Sequence, residues 1–192
     1  MKNVIKKGSI IGVILGGMLI ALMLIHSPIK IDLDISNIIC GVVCGVLVCL
    51  TNCIITLSIS KISPNYLYKK NNGQHGLLLN KTLICMLLVE NVFAEELVFR
   101  SYLFSFINEN WGNISAISIT SILFIFYHSK PRIIELGVMG ITFGVLVIIT
   151  NNIITPIMAH LSINLIYLGH KYKKTKKYIF YVIKVFFLRL YK

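Results

Sequence analysis

The chain has 192 residues, of which 56 % are hydrophobic and only 14 % charged, with a mean hydropathy of +0.82. Soluble domains carry about 25 % charged residues, so the composition excludes an ordinary soluble domain and predicts an all-α, polytopic transmembrane helix bundle. The net charge of +12 does not point to nucleic acid, because the basic residues sit between apolar runs and form no surface interleaved with aromatics.

Residues 1–7 are basic and residues 9–25 apolar. This resembles a signal peptide, but no small-residue cleavage site follows; His26, Ser27 and Pro28 come next. A retained first span is expected, with Gly12 and Gly16 spaced for close helix contact. Residues 27–36, with Lys30, Asp32 and Asp34, read as a short loop. Residues 38–59 are long enough for a second span and hold Gly41 and Gly45 at the same spacing. That span also holds Cys40, Cys44, Cys49 and Cys53; the fifth cysteine is Cys85. At 100° per residue the first two fall opposite the second two. They are therefore read as small apolar packing residues rather than metal ligands. Residues 61–75 form a polar loop with Lys61, Lys69, Lys70 and the turn signal Asn71-Asn72-Gly73.

Residues 77–107 are too long for one upright span, which needs about 20 residues. They must tilt, kink, or run as two helical pieces meeting near residues 91–95. Residues 108–113 read as a turn, and residues 114–128 as a shorter apolar run that Pro131 ends. Residues 133–149, with Gly140 and Gly144, form the next span. Asn151 and Asn152 make a tight turn, and residues 153–168 follow with His160 and Asn164. Residues 171–177 are a basic cluster. Residues 178–192 are aromatic with Lys184 and Arg189, and read as an amphipathic helix lying at the membrane interface.

Three regions result: a two-span N-terminal part (1–76), a core (77–170) and a basic tail (171–192). Six spans with the N-terminus in the cytoplasm place 13 of the 19 Lys and Arg residues in inner segments, and only Lys30 in an outer loop. The positive-inside rule requires that asymmetry. Both the N-terminus and the tail are then cytoplasmic.

Residues 89–106 stand out. They hold Glu90, Glu95, Glu96 and Arg100 in an apolar run, three of the seven acidic residues of the chain. A charge at a bilayer centre costs roughly 2.5–3.5 kcal/mol on insertion scales, and such residues mark functional sites by default. Glu96 and Arg100 are four apart with the acid first, the favourable order for an ion pair on one helix face. Glu95 points about 100° away and needs another partner. Glu90 is read as a packing residue. His128, on the face of Phe124, and the pair His160 and Asn164, on one face of another helix, are the remaining polar groups in apolar surroundings.

Glu95, His128, His160 and Asn164 suit hydrolysis if the bundle brings them together. A poorly solvated carboxylate serves as a base for water, and an imidazole polarises that water or passes on its proton. A second imidazole and an amide can donate to a developing oxyanion. Alternatively, Glu95, His128 and His160 could bind a divalent metal such as zinc, with one position open for water. The sequence has no His-Glu-x-x-His, no Gly-x-Ser-x-Gly, and aspartates only at Asp32 and Asp34 in one loop. In straight helices His128 lies near the inner end of its span and His160 nearer the outer end, so a tilt or a broken helix must close that gap.

Glu95-Glu96-x3-Arg100, Phe124-x3-His128 and His160-x3-Asn164, in this order on successive hydrophobic helices, resemble the CPBP (Abi) family of intramembrane proteases, relatives of the type II CAAX prenyl endopeptidases. The resemblance covers roughly residues 77–168. It implies peptide-bond hydrolysis in a helical membrane core, with a membrane peptide or protein as substrate and the lipid bilayer as surroundings. It also implies that Glu95 and His128 activate water, that His160 and Asn164 stabilise the transition state, and that Glu96 and Arg100 support them. Phe93 and Ala94 stand where the family often has a proline, and Ser101 where it often has a glycine. Bacterial members are linked to bacteriocin self-immunity or peptide processing, which implies a bacterial cell membrane and no prenylated substrate. A non-catalytic immunity protein of the same fold and a small transporter are the competing readings.

Overall fold

The computed structural model describes residues 16–62, 81–128 and 132–173. The basic N-terminal segment with Gly12, most of the 61–75 loop, residues 129–131 and the tail from residue 174 on lie outside the described residues. Among the described residues the chain is helical throughout, with no strand. Helix α1 spans Gly16–Ile25, α2 Ile35–Ile62, α3 Lys81–Glu96, α4 Phe104–His128, α5 Ile133–Thr150 and α6 Ile154–Lys173. A seven-residue π-helical segment, Leu97–Leu103, joins α3 to α4 without a break.

Two helices, α2 and α5, are long and apolar enough to cross a membrane. The most apolar stretch of α2 is only 28 % buried. Its Ile39, Val43, Leu47, Leu50, Ile54 and Leu57 all face outward. An apolar surface of that extent suits lipid rather than water.

Small residues set how closely the helices approach. A Cβ on Gly41 or Gly45 of α2 would collide with the backbone oxygens of Thr155 and Ala159 on α6. A Cβ on Gly140 of α5 would stand 2.9 Å from Ser121 Cβ of α4. The glycine spacing thus marks helix contacts, as expected of membrane helices that lack a hydrophobic drive to associate. Gly16 of α1 packs instead on the side chain of Glu90.

The central core contains Val48, Cys49, Phe124, Leu136, Phe143 and Ile163. Cys40 and Cys44 pack against it, while Cys53 and Cys85 are exposed; all five thiols are free. A second cluster joins Ile20 of α1 to Val92, Leu97, Ile153 and Ile157.

One expectation is corrected. The long third hydrophobic run does not break at residues 91–95; α3 is regular to Glu96, and the irregularity is the π segment that follows. No proline or glycine lies within residues 97–103 to mark it in the sequence. Residues 104–128 are two helices that meet at Gly112, whose φ of 78° and ψ of 171° are not helical, within the 108–113 stretch where the sequence places a turn. Only glycine adopts that conformation without Cβ strain.

The end of the bundle that carries the α1–α2 loop and the α5–α6 turn is fastened by side chains. Asn151 takes a left-handed conformation (φ 45°) and closes α5, its N–H donating to Val147 O at 2.8 Å. Asn152 Nδ2 donates to Asp32 O at 2.6 Å, and its Oδ1 accepts from Asp32 N at 3.1 Å and Ile154 N at 3.0 Å. One buried amide therefore ties the α1–α2 loop to the start of α6. On that loop Lys30 donates to Asp32 at 2.7 Å, which holds the Asp32 carboxyl below its ordinary range and Lys30 above its own.

Candidate active site

The end of α3 presents two adjacent carboxylates to different neighbours. Glu95 Oε2 lies 3.4 Å from His128 Nε2, at the C-terminus of α4, and 3.9 Å from His160 Nε2 on α6. Glu96 Oε1 lies 2.7 Å from His160 Nδ1, and Glu96 Oε2 3.8 Å from Arg100 Nε. The 100° step between successive helical residues makes this division possible. The π segment then keeps Arg100 beside Glu96 while starting α4 on a shifted face; such widened turns recur at functional sites.

Each imidazole is oriented by its second nitrogen. His128 Nδ1 donates to Phe124 O at 2.9 Å, one turn back on its own helix. His160 Nδ1 donates to Glu96, and its ring packs against Phe143 and Phe124 at centroid distances of 5.3 and 5.9 Å. In the neutral rings both Nε2 atoms therefore carry the lone pair that faces Glu95. A carboxylate oxygen and two lone pairs are all acceptors. A proton on a ring or on the carboxyl, or a cation, would hold them together.

The site is open on one side and sealed on the other. The Glu95 and His128 side chains are 15 % and 13 % exposed; those of Glu96 and Arg100 are 0 %. Arg100 is fully buried. Its guanidinium sits 4.9 Å from the Phe124 ring centroid, and Nη2 donates to Gly140 O at 3.4 Å. Among the described residues Arg100 Nε and Nη1 make no hydrogen bond, and the 3.8 Å approach to Glu96 is an ion pair too long to be one. Buried as it is, Arg100 balances Glu96, which otherwise would leave an unpaired charge.

The sequence therefore named residues that the fold brings together: Glu95, His128 and His160 meet at one carboxylate oxygen, with Glu96 and Arg100 behind them. Asn164, one turn after His160 on α6, is half-buried, and its amide makes no hydrogen bond with the described residues. The sequence reading paired Glu96 with Arg100 alone and missed its bond to His160, which spans 64 residues. It also missed a second polar cluster. Glu135, buried on α5, accepts from Thr56 Oγ1 of α2 at 2.8 Å and from Arg132 Nε at 3.2 Å, while Arg132 Nη2 donates to Thr56 Oγ1 at 2.7 Å. The i, i+3 spacing of Arg132 and Glu135 was the available signal.

Glu95, His128 and His160 were also the expected ligands of a divalent metal. Among the described residues no group of three or more His, Cys, Asp or Glu side chains is arranged to hold one. The donor types suit zinc, but the arrangement as it stands does not form such a cluster, and no step below is routed through a metal.

The helical bundle has apolar outer faces and brings one glutamate and two histidines together at its polar centre. Residues 78–166 match the family described as Type II CAAX prenyl endopeptidase Rce1-like, and through this stretch the chain is related to the CPBP proteases. That family is one of membrane-embedded proteases, and the matched stretch holds every residue of the site. No curated protein and no solved structure matches the chain.

Proposed function

We propose that the chain is an intramembrane endopeptidase that hydrolyses a peptide bond of a membrane-associated peptide or protein with water activated by Glu95 and His128. The observation that supports this most is the meeting of Glu95 Oε2 with His128 Nε2 at 3.4 Å and His160 Nε2 at 3.9 Å, on the exposed side of an otherwise sealed polar cluster.

In this reading a water sits beside Glu95 and His128, within hydrogen-bond reach of both. Glu95 Oε2 takes one of its protons as the oxygen attacks the scissile carbonyl carbon. The carbonyl oxygen becomes an oxyanion and accepts from His160 Nε2–H and from the Asn164 amide. His160 donates from Nε2 when its ring carries both protons, while Nδ1 stays on the Glu96 carboxylate. The proton on Glu95, relayed with His128, then passes to the amine nitrogen as the C–N bond breaks. Glu96 and Arg100 touch no reacting atom; they hold His160 in place.

The same reading places six spans in the membrane, with the N-terminus and basic tail cytoplasmic, because that arrangement collects the basic residues on one side. The test is reconstitution of the full chain in proteoliposomes. Comparing peptides from membranes of cells with the natural chain and with Glu95→Gln identifies the substrate. The proposal expects substrate to accumulate uncut in Glu95→Gln cells. Protection against a bacteriocin that persists in Glu95→Gln, with no peptide accumulating, would favour the non-catalytic immunity reading instead.

A further inference from the structure

Nothing within Leu97–Leu103 breaks an α-helix, yet the segment is wound as a π-helix. A π turn takes one residue more than an α turn and is rare outside special settings, so contacts from elsewhere in the fold must hold it.

Two consecutive side chains of the segment reach the end of α1. Ser27 Oγ donates to Ile29 O at 2.9 Å, so in the 2.6 Å contact between Ser27 and Ser101 it is Ser101 Oγ that donates. Tyr102 donates from its hydroxyl to Met23 O at 2.8 Å. Met23 lies in the last turn of α1, where carbonyls find no partner within the helix. Ser101 is fully buried. Ile29, just beyond Ser27, packs against the cluster that holds Leu97 and also against the one that holds Phe104. The α1–α2 connector thus touches both ends of the π segment and bonds its middle. The bond from Arg100 to Gly140 O is longer, at 3.4 Å.

We infer that this clasp of α1 on Ser101 and Tyr102 holds the segment in its π winding, and that the two side chains are positioning residues for Glu96 and His160. For its effect on cleavage the inference rests on the endopeptidase reading above; it extends that reading by making the first helix part of the catalytic framework. Without the extra residue of the π turn, α3 would rotate by about one residue's step, roughly 100°, against α4. Glu96 would then leave His160 Nδ1, which it meets at 2.7 Å, and Glu95 would leave His128 Nε2.

The test uses the full chain in phosphatidylcholine vesicles, with its natural sequence and as Ser101→Ala, Tyr102→Phe, Ser27→Ala and their combinations. Each change removes a hydroxyl and adds no bulk. Hydrogen exchange of the amides of residues 101–104 reads the winding, and the proton signal of His160 Nδ1–H reads its bond to Glu96. Neither readout needs a substrate. With Ser101→Ala and Tyr102→Phe together, exchange at 101–104 should quicken on the order of tenfold, as the loss of two neutral hydrogen bonds would give. The His160 signal should move with it, while the amides of α5 keep their rates. Ser27→Ala should match Ser101→Ala, and the two combined should exceed neither, because they remove one shared bond. Unchanged exchange at 101–104, a rise spread evenly over α3–α6, an unmoved His160 signal, or additive effects of Ser27→Ala and Ser101→Ala would each overturn the inference. On a cleaved substrate, the Ser101→Ala, Tyr102→Phe chain should lose about tenfold in kcat with KM in place. Cleavage at the natural kcat by that chain removes the positioning role and leaves the endopeptidase. Faster exchange and a moved His160 signal, with no cleavage even by the natural chain, keep the clasp and remove the endopeptidase.

Discussion

Glu96 Oε1 accepts a 2.7 Å hydrogen bond from His160 Nδ1, so the acid that follows Glu95 belongs to the opposite imidazole rather than to Arg100 alone. A buried carboxylate at Nδ1 fixes the orientation of the ring, as in other sites where the second nitrogen of a histidine is held. Glu96→Gln keeps an acceptor and removes the charge. It should lower kcat on the order of 10- to 100-fold with KM little changed, measured on the reconstituted chain. A fall in KM affinity with kcat intact would place Glu96 in substrate binding.

Arg100 is fully buried among Phe99, Phe124 and Phe143. Arg100→Met leaves Glu96 uncompensated and should cost about 3–5 kcal/mol, read as unfolding in detergent. Arg100→Lys should not restore it, because a lysine lacks the planar fork that stacks on the rings and reaches Gly140 O. The exposed Lys30 is the control; Lys30→Ala should leave the unfolding midpoint in place.

What the sequence disclosed, and what it hid, follows from range. Gly41 and Gly45 were legible because a missing side chain in an apolar run has few explanations other than a close neighbour. Glu95, His128 and His160 were legible because polar groups in lipid must find one another. The bond from Glu96 to His160 was not, since it depends on the rotation of α3 against α6, which no local pattern encodes. Nor was the π segment, whose Leu97–Leu103 contains nothing that breaks an α-helix. Arg132 was read only as a charge that fixes topology, yet its guanidinium holds Thr56 and Glu135.

The approach of α2 to α6 sets the position of His160. Gly45→Leu would drive a side chain into the Ala159 carbonyl and Ser162. It should destabilise by at least about 1–3 kcal/mol and abolish cleavage by moving α6. Gly169→Ala, which meets nothing within 4 Å, should be neutral or stabilising by up to about 1 kcal/mol. Thermal unfolding of the two variants side by side checks the contrast.

Asn152 caps α6 and fastens the α1–α2 loop with the same amide. Asn152→Ala should cost about 1–2 kcal/mol and speed hydrogen exchange of the Asp32 and Ile154 amides. Exchange unchanged at both positions would mean that the loop is held by other contacts.

The most direct measurement is the cleavage rate of an identified membrane substrate in proteoliposomes by the natural chain, Glu95→Gln and His128→Ala, each shown to insert and to unfold at the same midpoint. The account predicts that both variants lose at least about 100-fold in kcat, since each removes one side of the activated water. Natural rates in either variant, with its fold intact, would contradict it.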